Sequence, residues 1–532
     1  MVGEPPSTRE EVRAAEVISA LCLATDLGMG LPFEHGLHST LIAMRLVDRL
    51  GVDAETAHDT YYGCLLMYAG CTADAEVAAG FFEDGALAEH FAPVMFGSRH
   101  EIMGGIVRAL AYPRDSLPAR AAQVARRLPR AVSGHKRHLV AACEVARMLT
   151  DRLGLPSSVR TLFGSLTERW DGKGEPAGVK GDAIPLPLRI AHVARDAAFQ
   201  WTLGGDELAA RVVRERAGHA FDPEIARRFA DDAAEILARD LDTPAWQATL
   251  DSEPGRHLRL HDAAIDLALA AMGDFADLLS PYLVGHSAGV AQLAGEAGER
   301  CGFSADELRS LRRAALVHDV GRVAVPVRIW QKPGPLTPDE WERVRLHAYH
   351  TERILRQSSF LAALAPVATT HHERLDGSGY HRGLTAASLT PPARLLAAAD
   401  VYHAMAEPRP HRAPLTAVQA AAALADEARS GRLDPDAVGA VLDAAGQQVP
   451  RLERPAGLTE REAEVIALLA RGLQTKQIAR QLGISPKTAD RHIQNAYGKI
   501  GVSTRAAAAL FAMQHGLGAW GELPIAERTG PS

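Results

Sequence analysis

The ten residues 371-HHERLDGSGY-380 run two adjacent histidines straight into a turn made of Asp376, Gly377, Ser378 and Gly379. An earlier stretch, 168-ERWDGKGEPAG-178, matches 373-ERLDGSGYHRG-383 at Glu, Arg, Asp and three glycines. Each is followed by a helix start containing Pro and Arg, PLRIAHVA in the first and PARLLAAA in the second. Upstream, 36-GLHSTLIAMRL parallels 284-VGHSAGVAQLA, which pairs His38 with His286. His38 and Asp171 are 133 residues apart and His286 and Asp376 are 90 apart, so the first copy carries 43 extra residues. Repetition on this scale indicates a duplicated domain, not a solenoid.

The two copies differ where polar residues matter. The second has His318-Asp319 where the first has Tyr68-Ala69, and His371-His372 where the first has Leu166-Thr167. Asp400 aligns with Arg195, and an arginine cannot replace a carboxylate ligand. His58-Asp59 in the first copy falls ten residues early and lacks partners. Residues 1–250 are therefore expected to keep the fold without metal ligands, as a sensor, lid or dimerisation surface.

In the second copy, seven candidate ligands lie in segments rich in alanine and leucine: His286, His318, Asp319, His347, His371, His372 and Asp400. His347 sits on the amphipathic segment WERVRLHAYHTERIL, with Leu346, Ile354 and Leu355 as core candidates. A single buried histidine is ordinary. Seven such groups buried without partners would cost several kcal/mol apiece, so they must satisfy one another or bind ions. Imidazole and carboxylate ligands without cysteine favour two divalent ions of iron or manganese, with zinc, nickel and magnesium also compatible. Two ions about 3.5–4 Å apart both supply a nucleophile and hold the attacked phosphoryl oxygens, and Asp319 is the candidate bridge between them.

The ordered motifs HDVGR, HHERLDGSGY and AADVYHAM resemble those of the HD-GYP family, phosphohydrolases of the HD superfamily that cleave cyclic di-GMP. The resemblance covers roughly residues 255–445 and implies that the same seven residues are the metal ligands, with His318, Asp319 and Arg322 catalytic. Arg322 stands where the family has lysine and keeps a cation for phosphate, with a different reach. Gly379-Tyr380-His381 replaces Gly-Tyr-Pro, His403 replaces the second aspartate of a D-x-x-D pair, and Arg409-Pro410-His411 replaces Arg-Pro-Tyr. Tyr282, four residues before His286, stands where three-metal members carry glutamate, which favours two ions. Arg322, Asp376, Gly379 and Tyr380 are the candidate substrate contacts, with a purely structural turn the other reading of 376–379.

The five cysteines show no C-x-x-C pairing, as expected of reduced thiols. No apolar run approaches the roughly 20 residues a membrane span needs, and MVGEPPSTREEV lacks a signal-peptide core, so a cytoplasmic protein is expected. Total charge is −7, yet residues 458–515 hold eight Lys or Arg against four acids, making that segment +4 and the remainder −11. A basic module on an acidic body points to one surface for a polyanion.

That module, 458-LTEREAEVIALLARGLQTKQIARQLGISPKTADRHIQNAYGKIGVSTR-505, has the pattern of three helices. Thr459 and Glu462 form a capping box, Thr475 is the candidate cap of a second helix ended by Gly483, and Ser485-Pro486 opens a third. Lys487, Thr488, Arg491, His492 and Gln494 crowd the exposed start of the third helix, the arrangement of a recognition helix. Lys499 and Arg505 are candidate phosphate contacts. The segment resembles the LuxR-type helix-turn-helix throughout, from L-T-x-R-E through I-A-x-x-L-x-I-S to K-I-G-V-x-x-R, with Asp490 where a basic residue is common. This resemblance implies double-stranded DNA as partner and a homodimer on paired half-sites.

The expected fold class is thus mostly α: tandem HD-type helical domains, the first one degenerate, followed by a LuxR-type helix-turn-helix bundle. The expected boundaries are 1–250 for the degenerate domain, 255–445 for the metal-dependent one, 446–457 for a linker and 458–517 for the DNA-binding module. Glu253-Pro254-Gly255 marks the first boundary. Two functions remain open: a regulator that hydrolyses a nucleotide phosphodiester such as cyclic di-GMP, or a nucleotide sensor without turnover that controls DNA binding. A hydrolase with a vestigial DNA module ranks third.

Overall fold

The structure, a computed structural model, describes residues 10–70, 86–111, 116–239, 242–446, 455–470 and 473–502, with 505, 508, 511, 512 and 517. It is almost wholly helical, with one antiparallel ribbon in which Glu11–Arg13 pairs with Arg259–His261. Most of the expected linker, 447–454, lies outside the described residues, as does Cys71. Cys22, Cys64, Cys143 and Cys301 are free thiols, and no described helix is long and apolar enough to cross a membrane.

The chain forms two compact units that do not follow sequence order. The first comprises Met1–Gly285 and Val320–Ala363, the second His286–Asp319 and Leu364–Ser532. In the first unit, helix Ala14–Met29 is buried on nearly every side from Ala14 to Asp26, as its run of alanines, leucines and valines requires of a central helix. Helix His35–Leu50 approaches it so closely that a Cβ on Gly36 would stand 2.2 Å from Cys22 Sγ. The Gly36 N–H donates to the Asp26 carboxylate, which burial holds well above its usual pKa.

Glu253 is no open boundary. It is buried, its Oε2 accepts from Arg13 at 2.5 Å, and its Oε1 accepts from the Tyr62 hydroxyl at 2.7 Å. This ties the strand ribbon to helix Ala54–Leu65, and only Gly255, at φ 71°, has the backbone of a turn.

Val320–Ala363 belongs to the first unit, where the Ser358 hydroxyl donates to Glu16 at 2.6 Å, and a close backbone contact folds the segment on itself. Gly321 donates to Thr351 Oγ1 at 2.9 Å, and a Cβ on it would lie 2.2 Å from the Thr351 nitrogen. The glycine of HDVGR is therefore needed for close approach to helix Pro338–Leu355. That helix starts at a capping box of Thr337 and Glu340 and buries Val344, His347, Ala348, Thr351, Ile354 and Leu355. Leu346, an expected core residue, is instead 45% exposed because it lies on the opposite face. Gly70 plays Gly321's part in the first copy: its Cβ would overlap the Ala142 carbonyl at 1.8 Å.

The repeated turns fold alike. Gly172 and Gly377 have φ of 73° and 79°, which favours glycine. Glu168 accepts from the N–H groups of Ala177 and Gly178, and Glu373 accepts from those of Arg382 and Leu384. Arg189 donates to Asp222 at 2.7 Å and Arg394 to Asp434 at 2.9 Å, each aspartate capping the next helix.

Beside a small cluster of Leu375, Ala386 and Leu389, two larger apolar clusters lie in the second unit. One packs Val290, Ala294, Leu311, Leu395, Leu396, Leu424, Val438 and Val441 from helices His286–Arg300, Ala305–Val317, Pro391–Ala406, Ala417–Arg429 and Pro435–Ala444. The other joins Val465, Ile466, Leu469, Ile478, Ala489 and Ile493 from helices Glu460–Ala470, Thr475–Gln481 and Pro486–Ile500.

Candidate metal centre and DNA-binding helix

Three helix ends and the interior of a fourth helix bring six of the predicted ligands together in the second unit. His286 is the first residue of its helix, and His318 ends the helix begun by the Ser304–Glu307 capping box. Asp319 follows at once, His371 and His372 follow helix Ser359–Ala368, and Asp400 lies inside Pro391–Ala406. His286, His318, Asp319 and Asp400 offer ligand atoms within 4.8 Å of one another, and Asp319, His371 and His372 do the same. Asp319 belongs to both groups. Its Oδ2 is 3.0 Å from His318 Nε2 and 3.5 Å from His286 Nε2, while its Oδ1 faces His371 Nε2 at 3.4 Å.

The hydrogen bonds on the far side of each ring fix which nitrogen can serve. His318 Nδ1 lies 2.7 Å from the Ala315 carbonyl and His371 Nδ1 lies 2.7 Å from that of Ala368. A carbonyl only accepts, so Nδ1 carries the hydrogen and a neutral ring turns its Nε2 lone pair toward the carboxylates. Such an outer hydrogen bond is what metal-binding histidines ordinarily make. The donor set is imidazole nitrogen and carboxylate oxygen throughout, which fits divalent ions of the iron and manganese type.

The charges are strongly coupled. Burial opposes the His318 imidazolium, but Asp319 and Asp400 outweigh it and raise the group to about 9. Burial lowers His371 to about 4. Although burial also opposes ionisation of Asp400, hydrogen bonds from His286 and His318 hold its carboxyl well below the usual range.

His347 and Arg322 belong to the first unit. His347 is buried and its Nδ1 is 2.5 Å from the Val344 carbonyl, the pattern seen at His318 and His371. Arg322 is also buried, with its guanidinium carbon 5.2 Å from the centre of the Trp330 ring.

In the turn, Asp376 Oδ1 accepts from the Ser378 N–H at 2.9 Å and from its hydroxyl at 2.6 Å. A Cβ on Gly379 would lie 2.4 Å from the Arg374 nitrogen, and one on Gly174 would lie 2.4 Å from that of Arg169. Asp376 and Gly379 therefore build the turn, and the copy without the ligands keeps both features. Tyr380 stacks on the His372 ring at 4.6 Å, so it buttresses a candidate ligand.

The first copy has a different interior at the equivalent place. Arg195 lies 4.1 Å over the Tyr68 ring and its Nε donates to the Tyr68 hydroxyl, so a cation and a phenol stand where the second copy has Asp400 and His318. His35, not His38, begins the helix there as His286 does in the second copy. Its ring is buried and lies 6.5 Å from that of Tyr68. The pairing of His38 with His286 is thus displaced by three residues, about one helical turn, because both positions are histidine. Burial and Arg195 lower His35 to about 3, which leaves a neutral ring near the guanidinium.

One contact of this site was not found from sequence. Glu407 Oε2 is 3.0 Å from His286 Nδ1, and its Oε1 is 3.2 Å from His403 Nδ1. It lies seven positions after Asp400, two helical turns on, and that spacing is the only signal the sequence offered.

In the basic module, Lys487, Arg491 and Gln494 are exposed on helix Pro486–Ile500, with Thr488 and His492 partly so. Ser485 caps this helix as expected, whereas the second helix is capped by Gln474 with Gln477, one residue before Thr475. Lys499 and Arg505 are committed elsewhere. Lys499 Nζ donates to Glu462 at 2.6 Å and to the Gly457 carbonyl at 3.0 Å, and Arg505 donates to the carbonyls of Leu469 and Leu473. Both side chains fasten the module to itself while remaining exposed.

Comparisons with known proteins follow this division. The HD-domain family matches residues 112–225 and again 271–437, together more than half the chain. The luxR family of bacterial regulatory proteins matches residues 456–512. A 3'3'-cGAMP-specific phosphodiesterase of Vibrio cholerae is 29% identical over 449 residues, which is 81% of this chain and 94% of that protein. A cyclic di-GMP phosphodiesterase response regulator of Xanthomonas campestris is 38% identical over 156 residues, 29% of this chain and 41% of that protein. Among solved structures, a cyclic GMP-AMP specific phosphodiesterase of V. cholerae matches with a TM-score of 0.57 at 25% identity, covering 82% of this chain and 99% of that one.

Proposed function

The chain belongs to the HD-domain family and carries a luxR-type regulatory module, and from that premise we propose that it hydrolyses a cyclic dinucleotide and uses the same ligand to govern binding to DNA. The observation that carries the enzymatic half is the Asp319 carboxylate, whose two oxygens face different histidines. His286, His318, Asp319 and Asp400 would hold one divalent ion, and Asp319, His371 and His372 the other. When bound, the two ions supply an acidified water and a clamp on the phosphoryl oxygens.

The chain's own groups prepare that chemistry. The Nδ1 bonds to Ala315 and Ala368 fix the His318 and His371 rings so that no reorientation is needed at the moment of reaction. Arg322, held beside Trp330, is the cation proposed for the attacked phosphate. 3'3'-cGAMP and cyclic di-GMP are the substrates to test first, because the named activities of the relatives divide between them. Lys487, Thr488, Arg491, His492 and Gln494 are the residues proposed to meet DNA, with two copies of the chain on paired half-sites.

The test is turnover of both cyclic dinucleotides by full-length protein stripped with chelator and reloaded with Mn2+, beside His318→Ala. Hydrolysis is expected only from the reloaded wild type. Turnover that survives His318→Ala would remove the assigned site, and tight binding of either ligand without turnover would favour a sensor.

A further inference from the structure

His318 and His371 each fix their tautomer with a carbonyl three residues earlier in the chain. His286 has no such helical carbonyl, because it is the first residue of its helix. Glu407, just past the end of helix Pro391–Ala406, supplies the acceptor from outside, with Oε2 3.0 Å from His286 Nδ1. We propose that Glu407 is a positioning residue for the metal centre, which sets the tautomer and aim of His286 and raises its strength as a ligand. The inference rests on the reading of His286 as a ligand.

A carboxylate only accepts, so Nδ1 must carry the hydrogen, and Nε2 is left facing Asp400 Oδ1 at 3.2 Å and Asp319 Oδ2 at 3.5 Å. Glu407 is itself held by Arg409, with the His403 ring beside its other oxygen. Arg409 donates to Oε2 at 2.8 Å, and His403 Nδ1 lies 3.2 Å from Oε1. The His403 ring fits only because position 289 is glycine: a Cβ there would stand 2.0 Å from His403 Nε2.

His286, His403 and Glu407 also have the spacing of a third cation site. Two features oppose that reading. The Arg409 guanidinium already shares the Glu407 oxygen, and a second cation on His286 would require the ring to give up both protons.

Metal-stripped full-length protein is titrated with Mn2+ by calorimetry against a competing chelator, and with Co2+ by visible absorption. Wild type, Glu407→Gln, Glu407→Ala and Arg409→Ala are compared. Glu407→Gln is expected to weaken one of two Mn2+ sites by about 10- to 100-fold and to shift one Co2+ spectrum, leaving the other site and the metal-free Tm unchanged. Glu407→Ala should lose at least as much, and Arg409→Ala less. Equal affinity at both sites in Glu407→Ala overturns the positioning role. A wild type that binds no Mn2+ overturns the metal centre as well, and tells the two failures apart. A third Mn2+ lost in Glu407→Gln, with two sites intact, also overturns the proposal in favour of a cation at Glu407.

Discussion

Asp319→Asn is expected to remove both ions together and to lower cyclic-dinucleotide hydrolysis by more than the roughly 100-fold upper range for losing an outer partner of a ligand. The reason is geometric. Asp319 Oδ2 faces His318 and His286 while Oδ1 faces His371, so one side chain serves two groups of ligands. An amide keeps the shape but presents one oxygen and one NH2, and the NH2 cannot bind a cation. His371→Ala, by contrast, should lose one ion and keep the other. Metal content per chain, measured by mass spectrometry after dialysis, separates the outcomes. One ion retained in Asp319→Asn would show that the carboxylate does not bridge.

Arg491→Ala is expected to weaken DNA binding by roughly 1–3 kcal/mol, about 5- to 150-fold, if its guanidinium reads a base edge. It is exposed on the helix capped by Ser485, whose Oγ accepts from the Thr488 N–H at 3.1 Å. Lys499→Ala should behave differently. Its Nζ neutralises the buried Glu462, itself half of the capping box with Thr459, so its removal should lower the Tm of the module. Fluorescence anisotropy across a salt series distinguishes the two, since removing a side chain that neutralises one phosphate lowers the salt slope by about one. A lowered slope in Lys499→Ala, with Arg491→Ala silent, would reverse the assignment.

Much of this was legible because polar residues in alanine- and leucine-rich segments demand partners. The histidine pairs and Asp400 stand out against LVHDVG and LLAAAD for that reason, and the duplicated ERxDGxG turn exposed the repeat. Other features depend on contacts that sequence does not display. Nothing in the residue letters shows that Lys499 and Arg505 are spent on Glu462 and on helix-end carbonyls. His35 and His38 are chemically equivalent one turn apart, and only the start of the helix separates them. Leu346 looked like core by type, but Val344, Ala348 and Thr351 occupy the face that packs on the backbone near Gly321. Glu407 lay outside every motif, since its role depends on His286 being the first residue of a helix. Residues 320–363 belong to the first unit, and the close approach within them at Gly321 is made at the backbone and is invisible to hydrophobic patterning.

Coupling of a cyclic dinucleotide to DNA within one chain is tested by a single titration. Full-length Mn2+-loaded protein binds a DNA site selected from random sequence, with and without a hydrolysis-resistant phosphorothioate of 3'3'-cGAMP, and the same is done for cyclic di-GMP. A ligand that prefers one of two DNA-binding states must shift the DNA Kd, and coupling of 1–3 kcal/mol corresponds to about 5- to 150-fold. A shift in that range is expected with one of the two ligands, abolished in Asp319→Asn. Identical DNA affinity with and without saturating amounts of both ligands would contradict it.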